Sequence, residues 1–101
     1  MILHISDDIE KKLRDRHGVD QFDILQCFCN QTRSVLIDDR EENKTDPPTQ
    51  WFISETDFGR RVKIVFIQLT ALDVLIKSAY DPDANEERIY QKYSTRLKPR
   101  W

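Results

Sequence analysis

Charged side chains on neighbouring predicted strands could together act on a phosphate ester. Arg61 and Lys63 alternate with apolar residues, so both should face away from the core side of their strand. Glu55 lies in the strand before it and Lys77 in the strand after it. If the strand register brings these residues together, the carboxylate could activate a ribose hydroxyl while the cations bind the phosphate. Cross-strand ion pairs are the alternative interpretation of the same residues.

Two further side chains could take part in proton transfer. His17 follows Arg16 and precedes a chain-reversing glycine, so it could serve as a base in place of Glu55. Tyr80, near the end of a predicted strand, could donate a hydrogen bond or act as the acid. The alternative for His17 is a cation that stabilises the C-terminus of a helix.

Several familiar chemistries are excluded by what the chain lacks. It contains only 2 glycines, which rules out the dinucleotide-binding fingerprints and the phosphate-cradling glycine loop. No nucleophile elbow or Ser-His-Asp order is present. Cys27 and Cys29 stand two positions apart in a predicted helix, where they cannot form a disulfide, and the histidines do not complete a zinc ligand set. We therefore expect two structural, buried thiols and a protein that needs no metal and no cofactor.

The composition is that of one small domain covering residues 1–101. Charged residues make up 34% of the chain, the net charge is -2 and the mean hydropathy is -0.66. No run approaches the roughly 20 apolar residues that a membrane span requires. The first residues lack the features of a signal peptide, so we expect a cytoplasmic protein without membrane contact.

The charge is unevenly distributed, because the predicted last helix and tail, from about residue 84 to 101, are basic. From Arg88 onward the chain contains Lys92 and three more cations but no acid. Arg88 and Lys92 could contact phosphate groups. The alternative is a helix end whose cations suit the macrodipole, followed by a solvated tail.

A charged segment closed by two prolines, residues 39–50, leads directly into the aromatic pair Trp51 and Phe52. Adjacent prolines restrict the backbone, so this loop should have a defined shape. Arg40 and Trp51 are residue types that often anchor protein interfaces, and we predict that they bind a partner. A plain surface connection is the alternative.

The hydrophobic periodicity predicts an α+β domain of order β-α-α-β-β-β-α, with helices packed on a largely antiparallel sheet. Helices are expected from Asp7 to Gly18 and from Asp20 to about Asn30, and a last helix after residues 81–83, with Ile89, Tyr90, Tyr93 and Leu97 on one face. Strands are expected at Ile2–Ile5, Ser34–Asp38, Gln50–Thr56, Arg61–Leu69 and Val74–Tyr80.

Several motifs, in this order, resemble the BrnT-type toxins of bacterial type II toxin–antitoxin modules. They are Arg16-His17-Gly18-Val19 with Phe22 and Cys27-Phe28, the run from Gly59 to Phe66, Ile76-Lys77-Ser78-Ala79-Tyr80, and Glu87-Arg88-Ile89-Tyr90. The chain also resembles a closely related family of short bacterial proteins that share Thr-Asp-Pro-Pro-Thr followed by Trp-Phe-Ile.

The resemblance implies a RelE/ParE-like fold, metal-independent endoribonuclease activity, and a cognate DNA-binding antitoxin as partner. Where that group has Ser-Ala-Arg at the end of the last strand, this chain has Ser78-Ala79-Tyr80. Lys77, Arg60 or Arg61 could supply the missing charge, although an ammonium does not reproduce the forked contact of a guanidinium. The resemblance accordingly makes Arg60, Arg88 and Lys92 predicted RNA-binding residues.

Two functional hypotheses follow from the sequence. The first is a toxin-like endoribonuclease that acts on RNA without a metal. The second is a non-catalytic interaction module that binds a protein partner through the segment from Asp39 to Trp51 and the exposed sheet. The first hypothesis requires the cations to converge on one solvent-facing surface of the sheet, which a single sequence does not determine.

Overall fold

The computed structural model describes residues 1–40 and 44–98 and contains one mixed α/β domain. The strands are β1 (Ile2–His4), β2 (Leu36–Ile37), β3 (Thr49–Glu55), β4 (Arg61–Gln68) and β5 (Asp73–Tyr80). The helices are α1 (Asp7–Lys12), which continues as a π-helical turn (Leu13–His17), α2 (Gln21–Cys29) and α3 (Ala84–Tyr93). No helix in these described ranges is long and apolar enough to cross a membrane.

The strands form one sheet in the order β1-β5-β4-β3-β2. Three of the four strand pairs are antiparallel, and β1 joins β5 in parallel. The predicted antiparallel character is therefore confirmed. The predicted order β-α-α-β-β-β-α omits one of the five strands that were predicted individually, and the structure has four strands between α2 and α3.

Alternating side chains give the sheet two faces, as the pattern of β4 predicts. Phe52 of β3 lies opposite Ile64 of β4, and both are fully buried. Phe28 of α2 packs against Phe52, so this face is covered by helix. Trp51 and Lys63 belong to the other face, where α3 packs. The sheet thus separates a helix-covered core from a second face that α3 covers in part.

The helix starts follow local capping chemistry. The Asp20 side chain accepts a hydrogen bond from the backbone N–H of Asp23 at 2.9 Å, and the Asp83 side chain accepts one from the backbone N–H of Glu86 at 2.7 Å. In return, the side chains of Asp23 and Glu86 accept from the backbone N–H groups of Asp20 and Asp83, which completes a capping box at each helix start. Asp20 was the predicted N-cap of α2, and Asp83 with Glu86 as its capping-box partner was one of two predicted starts of α3, the other being Asp81 followed by Pro82. The first helix differs, because Ser6 rather than Asp7 is its N-cap. Gly18 ends the π-helical turn with φ of 61°, a left-handed conformation that glycine adopts without strain.

The chain after α3 is attached to the rest of the domain by Arg33. Its Nε donates to Ser94 Oγ and its Nη2 to the Ser94 carbonyl, both at 2.7 Å, which satisfies backbone groups at the helix C-terminus. Arg33 also forms an isolated β-bridge with Arg96. Because α3 ends at Tyr93, Leu97 lies outside the helix and does not belong to the apolar helix face predicted from the sequence.

Other sequence predictions are corrected in detail. The strand expected at residues 34–38 contains only Leu36 and Ile37, because Ser34 instead pairs with Thr95. Cys27 is buried as predicted, and burial, with Asp23 nearby, raises the pKa of its thiol to about 11. Cys29 is exposed, because the short helix α2 turns it away from the sheet. The part of the basic tail from residue 99 onward lies outside the described residues.

Candidate binding cleft and the predicted catalytic residues

A cleft of about 710 Å³ opens on the face of the sheet that α3 covers in part. One wall is β2 with the residues that follow it, the other is α3, and the floor is formed by β3 and β4. The lining residues are Leu36, Ile37, Asp38, Asp39, Arg40, Trp51, Lys63, Asn85, Glu86, Ile89 and Tyr93. The predicted partner-binding residues Arg40 and Trp51 thus lie in the same cleft as Lys63, which was predicted to be catalytic.

Lys63 is held at the floor of this cleft by aromatic rings and a carboxylate. Its Nζ donates to Glu86 Oε2 at 2.6 Å and lies 4.4 Å from the centroid of the Trp51 ring. Tyr80, opposite Lys63 in the sheet, donates its hydroxyl to the same Glu86 oxygen at 2.9 Å. The Lys63 side chain is only 10% exposed and that of Glu86 only 18%. Both charges are therefore largely withdrawn from water and satisfied by each other.

The pKa shifts in this cluster keep each group in its ordinary protonation state. Burial would raise the pKa of Glu86, but hydrogen bonds from Lys63, the Asp83 backbone and Tyr80 lower it overall. Burial would lower the pKa of Lys63, but the hydrogen bonds to Glu86 and Tyr80 raise it overall. Burial raises the pKa of Tyr80. At neutral pH the cluster is an ammonium, a carboxylate and a neutral phenol.

The opposite wall of the cleft carries a second ion pair. The Arg40 guanidinium donates from Nε at 3.1 Å and from Nη2 at 2.9 Å to the two carboxylate oxygens of Asp38. Asp38 is buried, and its pKa is lowered, mainly by the hydrogen bond from Arg40. This forked contact orients the planar guanidinium at the rim of the cleft.

Arg61 and Glu55 lie directly opposite each other in β4 and β3, as the proposed register requires. Their closest charged atoms are 3.6 Å apart, but Arg61 binds Glu87 of α3 more closely, with two hydrogen bonds of 2.9 and 2.8 Å. The pKa of Arg61 is raised, mainly by the hydrogen bond to Glu87. Glu55 and Arg61 therefore form a cross-strand ion pair, as the alternative interpretation predicted, and Glu87 of α3 also binds Arg61.

The remaining predicted cations do not join this group. Arg60 donates to the backbone carbonyls of His17 at 2.6 Å and Gly18 at 2.7 Å and to Asp81 at 2.9 Å, so it connects the π-helical turn to the ends of β4 and β5. Lys77 is exposed at the irregularity between β4 and β5, where it has no partner in the register.

Arg88 and Lys92, the cations of α3 that were predicted to bind RNA, are exposed on the helix surface. Arg88 hydrogen-bonds to the Asn85 side chain within its own helix, and Lys92 Nζ lies 5.2 Å from the Tyr93 ring centroid. Neither residue lines the cleft.

His17 is brought close to one predicted catalytic residue. Its ring centroid lies 5.9 Å from that of Tyr80, which connects through Glu86 to Lys63. The other predicted base, Glu55, lies beside Arg61.

Within the residues that the structure describes, no three His, Cys, Asp or Glu side chains are arranged to hold a metal ion.

Sequence reasoning missed the acidic partners of these cations. Glu86 was identified only as the third residue of a capping box, and Asp38 only as the end of a strand. The signal was present in the run Asn85-Glu86-Glu87, which places two carboxylates in the first turn of α3. Tyr90 was predicted on the packing face of the last helix, but its partners were not: its ring lies 5.6 Å from that of Trp51, and its hydroxyl donates to the Ser34 carbonyl at 2.9 Å.

No protein-family model matches the chain. A search of curated proteins also finds no match.

Proposed function

We propose that this chain is a protein-interaction domain that binds a segment of a partner polypeptide in the cleft between β2 and α3. The observation that carries this proposal is that the cleft brings Arg40 and Trp51 together, while four of its five charged lining residues form ion pairs, Arg40 with Asp38 and Lys63 with Glu86. A cleft of about 710 Å³ whose lining combines aromatic and apolar side chains with charged ones is large enough for a few side chains of a partner.

The pKa directions favour binding over proton transfer. A general base works best when its pKa lies near the operating pH. In the Lys63 cluster, however, the pKa of the carboxyl is lowered and those of the ammonium and the phenol are raised. At neutral pH these groups therefore stay in one protonation state. They suit the polar floor of a binding cleft better than they suit the transfer of a proton.

The exposed part of the cleft indicates what the partner presents. Ile37 is 60% exposed and Tyr93 is 62% exposed, and they belong to opposite walls. An apolar side chain inserted between them would remove both from water. Three carboxylates and two cations line the cleft, which leaves an excess of one negative charge. The partner segment is therefore expected to carry an apolar side chain next to a basic one.

Capture from an extract of the source organism, followed by cross-linking and mass spectrometry, tests the proposal. Ile37→Glu and Tyr93→Glu should each weaken binding of the captured protein at least tenfold, because each places an acid where an apolar contact is needed. The affinity is measured by calorimetry with a synthetic copy of the cross-linked segment.

Leu72→Glu is the matched control, since Leu72 is 62% exposed and lies outside the cleft. It should leave the affinity unchanged. Failure to retain any protein, or an equal loss in all three variants, would contradict the proposal.

A second candidate function is the metal-independent endoribonuclease of a RelE/ParE-like toxin. The specific observation in its favour is the contact of His17 with Tyr80, which extends the Lys63 cluster to a side chain that can accept a proton. In this role Lys63 would stabilise phosphate charge, and Tyr80 would donate a hydrogen bond. A DNA-binding antitoxin would be the partner that occupies the cleft.

Incubation of the protein with RNA in the presence of EDTA tests the second candidate. Cleavage should fall at least tenfold in Tyr80→Phe, which removes the hydroxyl but keeps the ring. Tyr90→Phe, a change of the same type that removes a hydroxyl bound to the Ser34 carbonyl and lying outside the cleft, should cleave like the wild type. If the wild type leaves the RNA intact, or Tyr80→Phe cleaves at the same rate, the ribonuclease assignment is lost.

A further inference from the structure

The edge strand β1 contains one residue whose backbone groups face away from the sheet. β1 lies at the end of the sheet and pairs with β5 in parallel. The Ile2 N–H donates to the Leu72 carbonyl at 2.6 Å, so Ile2 and, two positions later, His4 direct their backbone groups towards β5. The N–H and C=O of Leu3 therefore point outwards. Neither group has a partner within the described part of the chain.

The elements around β1 leave this edge accessible to another strand. α1 and the π-helical turn that follow β1 pack against β5. Edge strands are often protected from further pairing by Lys, by Pro or by an inward-pointing charge. β1 consists of Ile2, Leu3 and His4, and the His4 ring is hydrogen-bonded to Asp73 at 2.8 Å. The edge therefore lacks these protective side chains.

Exposed apolar side chains are concentrated beside the same edge. Met1 is 59% exposed, Ile2 53%, Leu69 45% and Leu72 62%. The two leucines lie at the turn between β4 and β5. Leu72 accepts the hydrogen bond from Ile2, and Leu69 donates to the carbonyl of Asp73, which lies opposite Ile2. Clustered apolar surface of this kind marks an interaction site more often than isolated exposed residues do.

We propose that β1 is the interface of a symmetric homodimer, in which two copies pair their β1 strands antiparallel about a two-fold axis at Leu3. Leu3 exposes one donor and one acceptor, and Leu3 of the second copy presents the matching acceptor and donor. An isologous interface requires this self-complementarity. The two five-stranded sheets would form one continuous sheet. The proposed partner-binding cleft lies beside β2, at the opposite edge of the sheet, so the two interfaces are independent.

The side chains at this edge fit a second copy of the chain. With the two Leu3 residues opposite each other, Ile2 lies opposite His4 of the second copy, and Met1 lies opposite its Ile5. Both Met1 and Ile2 are more than half exposed in the single chain, so the pairing removes apolar surface from water. The charges of the edge do not call for a charged partner, since His4 is already bound to Asp73.

Amide hydrogen exchange, measured by NMR at increasing protein concentration, tests the proposal. The Leu3 amide should become at least tenfold more protected between about 10 µM and about 1 mM protein, because its N–H gains an acceptor in the dimer. The Ile2 and His4 amides face β5 and are the internal controls, whose protection should change less. Sedimentation over the same range should show the mass rise from 12.1 kDa towards twice that value.

Ile2→Lys should weaken dimerisation at least tenfold, because a lysine on an edge strand opposes further pairing. Its circular dichroism should match that of the wild type, since the Ile2 side chain is exposed. Ile37→Lys is the matched control: it is the same change at a residue of β2, 60% exposed at the opposite edge of the sheet. It should leave dimerisation unchanged.

A mass that stays at 12.1 kDa up to about 1 mM protein would overturn the proposal. So would a dimer in which the Leu3 amide exchanges as fast as in the monomer, because another surface would then form the contact. An equal loss of dimerisation in Ile2→Lys and Ile37→Lys would have the same meaning. None of these outcomes depends on whether a partner protein binds the cleft.

Discussion

Phe52→Ala is expected to lower the free energy of unfolding by about 3–5 kcal/mol. Phe52 is fully buried at the centre of β3. Its ring meets those of Phe28 at 4.8 Å and Phe66 at 5.9 Å, so truncation leaves a cavity among three aromatic side chains. Urea denaturation followed by circular dichroism measures the loss. Since small domains have a total stability of about 5–15 kcal/mol, this loss is a large fraction of the total for a domain near the lower end of that range.

Phe58→Ala is the matched control, because the same atoms are removed from a side chain that is 93% exposed. Its effect should stay within about 0.5 kcal/mol. A similar cost for both variants would show that Phe52 does not form the centre of the core.

Glu86→Gln is expected to cost about 2–3 kcal/mol at neutral pH. The substitution keeps the shape of the side chain but leaves the Lys63 ammonium without its carboxylate in a site where little water reaches it. Removal of one partner of a fully buried ion pair costs about 3–5 kcal/mol, and the partial exposure of Glu86 reduces this figure. Chemical denaturation of both proteins under the same conditions gives the difference.

Glu87→Gln offers a comparison within the same helix turn. Glu87 binds Arg61, whose side chain is 44% exposed, so the loss should be below about 1 kcal/mol. The two substitutions are chemically identical and adjacent. If Glu87→Gln destabilises the protein as much as Glu86→Gln, burial does not set the strength of these ion pairs.

The difference between wild type and Glu86→Gln should depend on pH in a defined way. The pKa of Glu86 is lowered from its ordinary 4.5, so its contribution is present above pH 4.5 and is lost as the pH falls through the folded value. The pKa of Lys63 is raised from its ordinary 10.5, so its contribution is present below pH 10.5 and is lost as the pH rises through the folded value. The difference should therefore be constant between these limits and shrink outside them.

Much of this domain follows from local patterns in the sequence. The alternation in β4 predicted the two faces of the sheet, Asp20 predicted the start of α2, and Asp81 or Asp83 was predicted to start α3, because these signals involve residues only a few positions apart. The loop composition also led to Arg40 and Trp51, which lie together in the cleft.

The partners of the charged residues could not be predicted in the same way. Lys63 meets Glu86 and Arg61 meets Glu87 only because α3 folds back across β4, and these contacts depend on the angle and position of the helix. The alternating pattern of β4 correctly places Arg61 and Lys63 on one face of the sheet. It does not reveal that Glu86 and Glu87 of α3 pack against that face. The acidic and basic halves of each ion pair therefore looked like separate features of the chain.

The parallel pairing of β1 with β5 has a consequence for folding during synthesis. Ile2 lies opposite Asp73, so the first strand to leave the ribosome has no neighbour until almost the whole domain has followed. The antiparallel strands β3, β4 and β5, by contrast, are consecutive in the chain and can pair as soon as each emerges. We therefore expect β1 to be added last, at the edge of a sheet whose other strands are already in place.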